Sequence, residues 1–145
     1  MADYLFPTFD MPVIPDEDEV EKFYPSAYFD FEKGDFSLDG ANRVRKATGK
    51  EAFAQWCIKA INTERDTCLA YSEDYGAEFE EIAGDTPLSS KSDIEETITD
   101  TLMANPATEY VKDIDVVLEG DYAYVTLVVK GYDWDEEELS AVIAI

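Results

Sequence analysis

The chain has 145 residues, of which 34 are acidic and 11 are basic, so its formal net charge at pH 7 is −23. Apolar residues make up 46% of the sequence and aromatic residues 13%, which is too rich for a disordered polymer and enough for one hydrophobic core. The charge opposes binding to nucleic acid or anionic lipid, and the absence of histidine excludes Ser-His-Asp and Cys-His catalysis and histidine-ligated zinc.

The start of the chain and its cysteines indicate a reducing compartment. Residues 1–3 lack the basic start and apolar run of a signal peptide, and no stretch approaches the ~20 apolar residues of a membrane span. Cys57 and Cys68 form no Cys-x-x-Cys pair, and we expect both to be buried, reduced thiols rather than a disulfide. These features predict a protein that is made in the cytoplasm and does not enter a membrane.

Residues 1–28 predict an extended arm. Four prolines in this stretch oppose a regular helix or a central strand. Large apolar side chains such as Phe6 and Phe9 are nevertheless too frequent for a solvated linker, so we expect the arm to pack on a protein surface. Two interpretations remain open, in which the arm wraps its own domain or packs on a neighbouring subunit.

A small hairpin and a basic cluster follow the arm. Residues 28–38 alternate around a turn at 32–35, and residues 39–42 predict a second turn. The cluster formed by Arg43, Arg45 and Lys46 has two interpretations. It could hold an acidic partner, or it could be a solvated strand beside the next helix.

The most strongly patterned stretch begins with a helix. Thr48 and Glu51 match a capping box, which predicts the start of the helix. Apolar residues then recur at the i, i+3, i+4, i+7 and i+8 positions of one buried stripe. The predicted core consists of this stripe and one residue of a later helix: Phe53, Trp56, Cys57, Ala60, Ile61 and Leu102.

A charged corner joins this helix to a predicted strand. Residues 64–66 are charged, and residues 67–72 then alternate, with Cys68 on one side and Leu69 and Tyr71 on the other. This alternation predicts a short strand. A helix that leads into a strand through a charged corner is therefore expected to organise the fold.

Arg65 lies at this corner beside Glu64. Arginine is suited to bidentate, partly buried pairing with a carboxylate, which favours a role in partner contact. The alternative is an internal cation at the helix end, where it would interact favourably with the helix macrodipole.

A second helix is predicted in the middle of the chain. Ser92 and Glu95 match a capping box, and the stripe of Ile94, Ile98 and Leu102 repeats every fourth residue. The helix should end before Pro106, because the residue that precedes a proline is disfavoured in helical conformation.

The C-terminal third predicts strands. Residues 111–118 and 122–130 alternate around a tight turn at 119–121, which predicts a hairpin. An acidic segment at 133–138 precedes the apolar run from Leu139 to Ile145. This last run either pairs within its own sheet or adds to the sheet of a partner.

Motifs for catalysis are missing. The sequence has no phosphate-binding glycine loop and no Gly-x-Ser-x-Gly elbow. A pair of carboxylates could in principle hydrolyse a glycoside, but with 34 acidic residues such a pair carries no specificity. Residues 35–40 match the front half of a calcium loop, but Lys46 stands where the bidentate glutamate is required. We therefore expect no catalytic residue, metal or cofactor.

A family resemblance rests on motifs that keep their order and spacing. They lie at residues 29–36 (FDFEKGDF), 39–40 (DG), 48–52 (TGKEA), 55–56 (QW), 59–60 (KA), 63–65 (TER), 69–72 (LAYS), 74–76 (DYG) and 105–106 (NP). Over residues 29–130 the chain resembles the baseplate wedge, or sheath-initiator, proteins of contractile phage tails and phage-tail-like bacteriocins. The resemblance is strongest to the branch in prophages of Gram-positive bacteria.

The resemblance implies a small α+β domain with two main helices packed on a mostly antiparallel sheet. We expect an arm at residues 1–28, the wedge-type domain at 29–130, and an acidic segment with a C-terminal strand for partner pairing at 131–145. The implied function is to surround the tail tube at the baseplate of a virion or tail-like particle, after synthesis in a bacterial cytoplasm, and to initiate the sheath by strand addition.

The implied partners are the sheath protein, the tail tube or tube-initiator protein, larger wedge subunits and a hub protein, with several copies in a six-fold ring. The candidate partner-binding residues are Glu64, Arg65, Tyr71, Tyr75, Leu139, Val142, Ile143, Ile145, Phe6 and Phe9. Two other functions remain as alternatives. One is an acidic nucleic-acid mimic or inhibitor, and the other is a carboxylate-pair glycosidase.

Overall fold

The C-terminal quarter of the chain forms a three-stranded antiparallel sheet, as its alternating sequence favours. The computed structural model describes residues 24–79, 82 and 87–145, with residues 87–89 described by their backbone alone. Strand β5 spans Thr108–Glu119, β6 spans Tyr122–Gly131 and β7 spans Glu137–Ala144, in the order β5-β6-β7. The predicted hairpin is therefore present, and it gains a third strand from the C-terminal segment.

Two helices cover the inner face of this sheet. Helix α1 spans Lys50–Ile61 and packs against β7, whereas α2 spans Pro87–Met103 and packs against β5. Apolar residues of α1, α2 and all three strands form one core cluster. The predicted α+β fold with two main helices on an antiparallel sheet is confirmed.

The predicted core residues lie in or beside this cluster. Phe53, Cys57 and Leu102 are almost completely buried, as are Ala60 and Ile61. Trp56 is half-buried and packs against the outside of the cluster. The stripe of α2 that contains Leu102 also brings Ile94 and Ile98 into the core, as the four-residue spacing indicates.

Short strands at the start of the described chain form two small ribbons. Strand β1 (Ser26–Ala27) pairs with β4 (Lys46–Ala47), and β2 (Phe29–Asp30) pairs with β3 (Asp35–Phe36). Asp30 accepts the backbone N–H groups of Glu32 and Lys33 at 3.1 Å each, which closes the predicted first turn. These hydrogen bonds, that of Lys33 foremost, lower the pKa of the Asp30 carboxyl.

The starts of both helices differ from the prediction. Gly49 is the N-cap residue of α1, with φ 54°, and no side chain caps this end. Glu51 instead pairs with Arg45 at 2.5 Å, so its carboxylate is not available for the predicted capping box. Helix α2 begins at Pro87 rather than near Ser92, because proline is well suited to the first helical position.

The predicted strand at residues 67–72 is wrong. This segment is a series of turns, and an isolated parallel bridge between Glu64 and Ala77 closes the loop instead. The prediction that both cysteines are buried is wrong for Cys68, which is exposed, whereas Cys57 is buried. Six alternating residues form a strand only if a neighbouring strand receives their backbone hydrogen bonds, and among the described residues no strand lies alongside.

The two thiols should react at very different rates. Burial raises the pKa of the Cys57 thiol to about 12, so at about pH 8 only roughly 10⁻⁴ of it is thiolate, the reactive form. We expect a disulfide reagent to modify Cys68 promptly in the folded protein and Cys57 only after denaturation, which titration with and without denaturant would measure. In the Cys68→Ser variant the fast phase should vanish. Two fast thiols in the folded wild type would contradict this assignment.

Candidate assembly surface

The outer edge of β7 is free of any partner strand among the described residues. β7 pairs with β6 alone, over an unbroken register from Tyr122↔Ala144 to Val129↔Glu137. A free edge presents unpaired backbone N–H and C=O groups, which is the chemistry that receives another strand. Glu137 and Glu138 are its charged residues, and they lie at its beginning, so residues 139–144 form an uncharged edge.

The opposite edge of the sheet, at β5, is irregular. Its register with β6 shifts between Lys112 and Asp115, and Asp113 between them has φ 52°. Such bulges disrupt the ladder and disfavour strand addition. The two edges of the sheet thus differ, and β7 is the one suited to pairing.

The outer face of the sheet is partly apolar. Val117, Tyr124 and Val142 form one cross-strand row, because Val117 pairs with Tyr124 and Tyr124 pairs with Val142. These three side chains are 44%, 44% and 50% exposed, and neighbouring Tyr122 is also exposed. Half-exposed valine and tyrosine side chains beside a free edge can contact the side chains of an added strand.

The predicted partner-binding residues of the last strand divide between two faces. Leu139 and Ile143 are buried in the core, whereas Val142 is exposed. The backbone N–H of Ile145 donates to the carbonyl of Asp121 at 3.0 Å, which fastens the end of the chain to the β5–β6 turn. The Leu139 and Ile143 side chains therefore belong to the core of this fold, and β7 lies inside its own sheet, which is one of the two placements expected for the strand.

The acidic segment before β7 is also fastened. The Glu136 carboxylate accepts hydrogen bonds from the Lys112 ammonium at 2.6 Å and from the Tyr110 hydroxyl. Lys112 foremost lowers the pKa of Glu136, and Glu136 in turn raises the pKa of both Lys112 and Tyr110. These contacts hold the segment against β5.

Trp134 anchors the same segment, and sequence reasoning missed it. Its ring stacks on Phe53 at 5.1 Å and lies so close to Gly131 that an added Cβ there would come within 2.6 Å of the indole. The sequence signal for this anchor is a single tryptophan among the five acidic residues from Asp133 to Glu138. Large aromatic side chains are rarely left exposed when a core lies nearby.

Arg65 closes the loop at the corner, and the carbonyl that it binds also contacts α2. Its Nε and Nη2 atoms donate to the Gly76 carbonyl at 3.3 and 3.1 Å, and its Nη1 atom pairs with Glu78 at 3.2 Å. The Thr101 hydroxyl of α2 shares its proton between the Thr97 carbonyl at 2.7 Å and the same Gly76 carbonyl at 3.3 Å. Arg65 is thus engaged inside the subunit, and this geometry favours the internal role over the role in partner contact.

Glu64, Tyr71 and Tyr75 lie around the same loop. Glu64 is half-buried and forms the bridge to Ala77. Tyr75 is buried against Trp56, and burial raises the pKa of Tyr75 to about 12. Tyr71 stacks on Tyr75 at 4.4 Å and remains partly exposed.

The other predicted residues and site types can be placed briefly. Phe6 and Phe9 lie outside the described residues. Within the described part of the chain, no group of three or more His, Cys, Asp or Glu residues is arranged to hold a metal ion. In the same part, neither helix has the length and apolar character needed to cross a membrane.

Comparison with known proteins identifies the family. A search of curated proteins gave no match. The family model described as "Contractile injection system sheath initiator" matches residues 26–133, which include the small ribbons, the corner, both helices, β5 and β6. The chain therefore belongs to the sheath-initiator family of contractile injection systems, and it is a structural component of the tail and baseplate of such a particle.

Proposed function

We propose that this protein initiates its sheath by receiving a β-strand of the sheath protein along the outer edge of β7. The observation that carries the proposal is the outer edge of β7, a regular strand that has no partner there among the described residues, in a sheet whose other edge is bulged. In this arrangement the subunit provides an edge and keeps its own last strand, because Leu139 and Ile143 are needed in its core.

Strand addition fits the chemistry of the surface. Main-chain hydrogen bonds provide affinity, and alternate side chains of the added strand provide specificity. The exposed row at Val117, Tyr124 and Val142 extends to the β7 edge, so an added strand would continue it. No catalytic residue is required for this function.

We further propose, from the family resemblance, that several copies form a six-fold ring around the tail tube, in contact with wedge subunits and hub protein. A net charge of −23 supports an assembly in which free copies repel one another. Contact with basic surfaces of partners would then complete the ring.

A lysine at the β7 edge should block sheath nucleation. In Val142→Lys an exposed side chain becomes charged, so the core is unaffected, but a strand added to β7 would have to pack against an ammonium group. We expect the folded monomer to lose less than about 1 kcal/mol of unfolding free energy. The lag before sheath polymerisation, followed by light scattering and electron microscopy with purified tube and sheath protein, should lengthen at least about tenfold.

Val117→Lys is the matched control, because Val117 lies in the same cross-strand row and is similarly exposed but belongs to the opposite edge. It should leave the lag unchanged. Equal inhibition by both variants would assign nucleation to the outer face of the sheet. Unimpaired nucleation by Val142→Lys would refute strand addition at β7.

A further inference from the structure

The small ribbons carry an exposed apolar surface beside a lysine, which we call the hairpin patch and define as Phe36, Leu38, Val44 and Lys46. Phe36, Leu38 and Val44 are 49%, 54% and 46% exposed. Leu38 bridges to Val44, and Phe36 lies two residues before Leu38, so the three side chains share one face. Exposed apolar side chains grouped on one face can mark a contact site.

The cation of the patch is unusual for so acidic a protein. Residues 24–47 contain four basic and four acidic residues, although the whole chain has a threefold excess of acids. Lys46 forms no ion pair with any described residue. It follows Val44 by two residues, which places its charge on the apolar face, whereas Arg43 and Arg45 alternate onto the opposite face of the ribbon.

An acidic segment of the same chain lies directly upstream. Residues 16–21 carry five carboxylates and one valine, and residues 1–14 contain Phe6 and Phe9. Ala27 of β1 pairs with Lys46 of β4, and Glu21 lies six positions before Ala27. Six extended residues span at most about 20 Å, so the acidic segment is tethered within reach of Lys46.

We propose that residues 16–21 dock on the hairpin patch of their own chain, with carboxylates on Lys46 and the preceding apolar residues over Phe36, Leu38 and Val44. The tether gives the segment an effective concentration of order millimolar at the patch, which favours it over a second copy that carries the same net repulsive charge. The inference does not depend on the proposed strand addition at β7.

Zero-length carbodiimide cross-linking of the full-length protein tests the contact. The reaction joins an ammonium to a carboxylate only where the two already touch, and an equal mixture of ¹⁴N- and ¹⁵N-labelled protein distinguishes links within a chain from links between chains. We expect mass spectrometry to find Lys46 joined to residues 16–21 in peptides of a single isotope. The Lys50–Glu137 pair, at 2.6 Å, is the internal positive control.

Two results would overturn the proposal. Mixed-isotope peptides would show that the acidic segment of a second copy occupies the patch. Absence of the Lys46 link, while the Lys50–Glu137 link forms, would show that residues 16–21 do not occupy it.

Tryptic cleavage after Lys22 provides an independent measurement, because this bond lies between the docked segment and β1. Reversal of the patch cation in Lys46→Glu should weaken docking and accelerate production of the 1–22 fragment about fivefold, since cleavage follows the population of the open form. The variant Lys91→Glu changes the net charge equally at a lysine that forms no ion pair with any described residue, and its cleavage rate should equal that of wild type. Equal rates in both variants would reject docking through Lys46.

Discussion

Deletion of residues 139–145 should abolish the fold of the isolated subunit. The deletion removes two large core side chains, Leu139 and Ile143, and leaves their cross-strand partners Leu127 and Ala123 uncovered. Truncation of one buried leucine or isoleucine costs about 2–5 kcal/mol, and a domain of this size has about 5–15 kcal/mol in total. Loss of both side chains together with the β6–β7 ladder therefore removes most of the available stability.

Circular dichroism and the chemical-shift dispersion of amide protons would measure this loss. Two point variants of the full-length chain, at adjacent positions on opposite faces of β7, serve as controls for the deletion. Ile143→Ala should lower the free energy of unfolding by about 2–5 kcal/mol, whereas Val142→Ala should change it by less than about 1 kcal/mol. A truncated chain that remained folded would show that β7 can leave the sheet, and strand donation to a partner would then replace edge pairing as the mode of assembly.

The hairpin at β5–β6 could be predicted because its determinants are local. Alternating residues define both strands, and the Glu119-Gly120-Asp121 turn connects them with no intervening segment. Gly120 adopts φ 62°, which a tight turn requires. The buried stripe of α2 was equally accessible, since a four-residue period needs no knowledge of the partner surface.

The placement of β7 could not be derived in this way. An apolar run after an acidic segment is compatible with pairing inside the sheet or with a partner, and the choice depends on contacts between distant residues. Trp134 decides it in part, because its ring on Phe53 anchors the chain just before β7. The irregular edge of β5 was also hidden from the sequence, since nothing in the sequence marks the positive φ of Asp113.

The corner was misread because its structure is held by tertiary hydrogen bonds. Residues 67–72 have strand-like alternation, but the loop is closed by the backbone contacts of Arg65 N–H with the Ala77 carbonyl at 2.9 Å and Ala77 N–H with the Thr63 carbonyl at 2.8 Å. The sequence singles out Arg65 as a candidate for partner contact, and the structure shows its guanidinium bound within the subunit. Its partner, a backbone carbonyl in the same loop, has no signature in the sequence.

Gly76→Ala should destabilise the subunit strongly. Gly76 has φ 105°, which a residue with a Cβ rarely adopts, and an added Cβ would lie 2.7 Å from the Thr63 carbonyl oxygen. The Thr63 oxygen belongs to the backbone, and a Cβ at position 76 would be fixed directly to the backbone, so rotation of a side chain cannot relieve the clash. We expect a loss of about 3–4 kcal/mol in the free energy of unfolding, measured by urea denaturation as a lower midpoint with an unchanged slope.

Gly120→Ala separates backbone strain from this clash, since Gly120 also has a positive φ but nothing lies within 4 Å of an added Cβ. Its cost should be about 1–2 kcal/mol, clearly below that of Gly76→Ala. Because the Gly76 carbonyl accepts from both Arg65 and Thr101, movement of Gly76 would also separate the corner from α2. If Gly76→Ala lowered the free energy of unfolding no more than Gly120→Ala, the backbone of the corner would have to shift at little cost. The Arg65 contacts could then not be what fixes the shape of the corner.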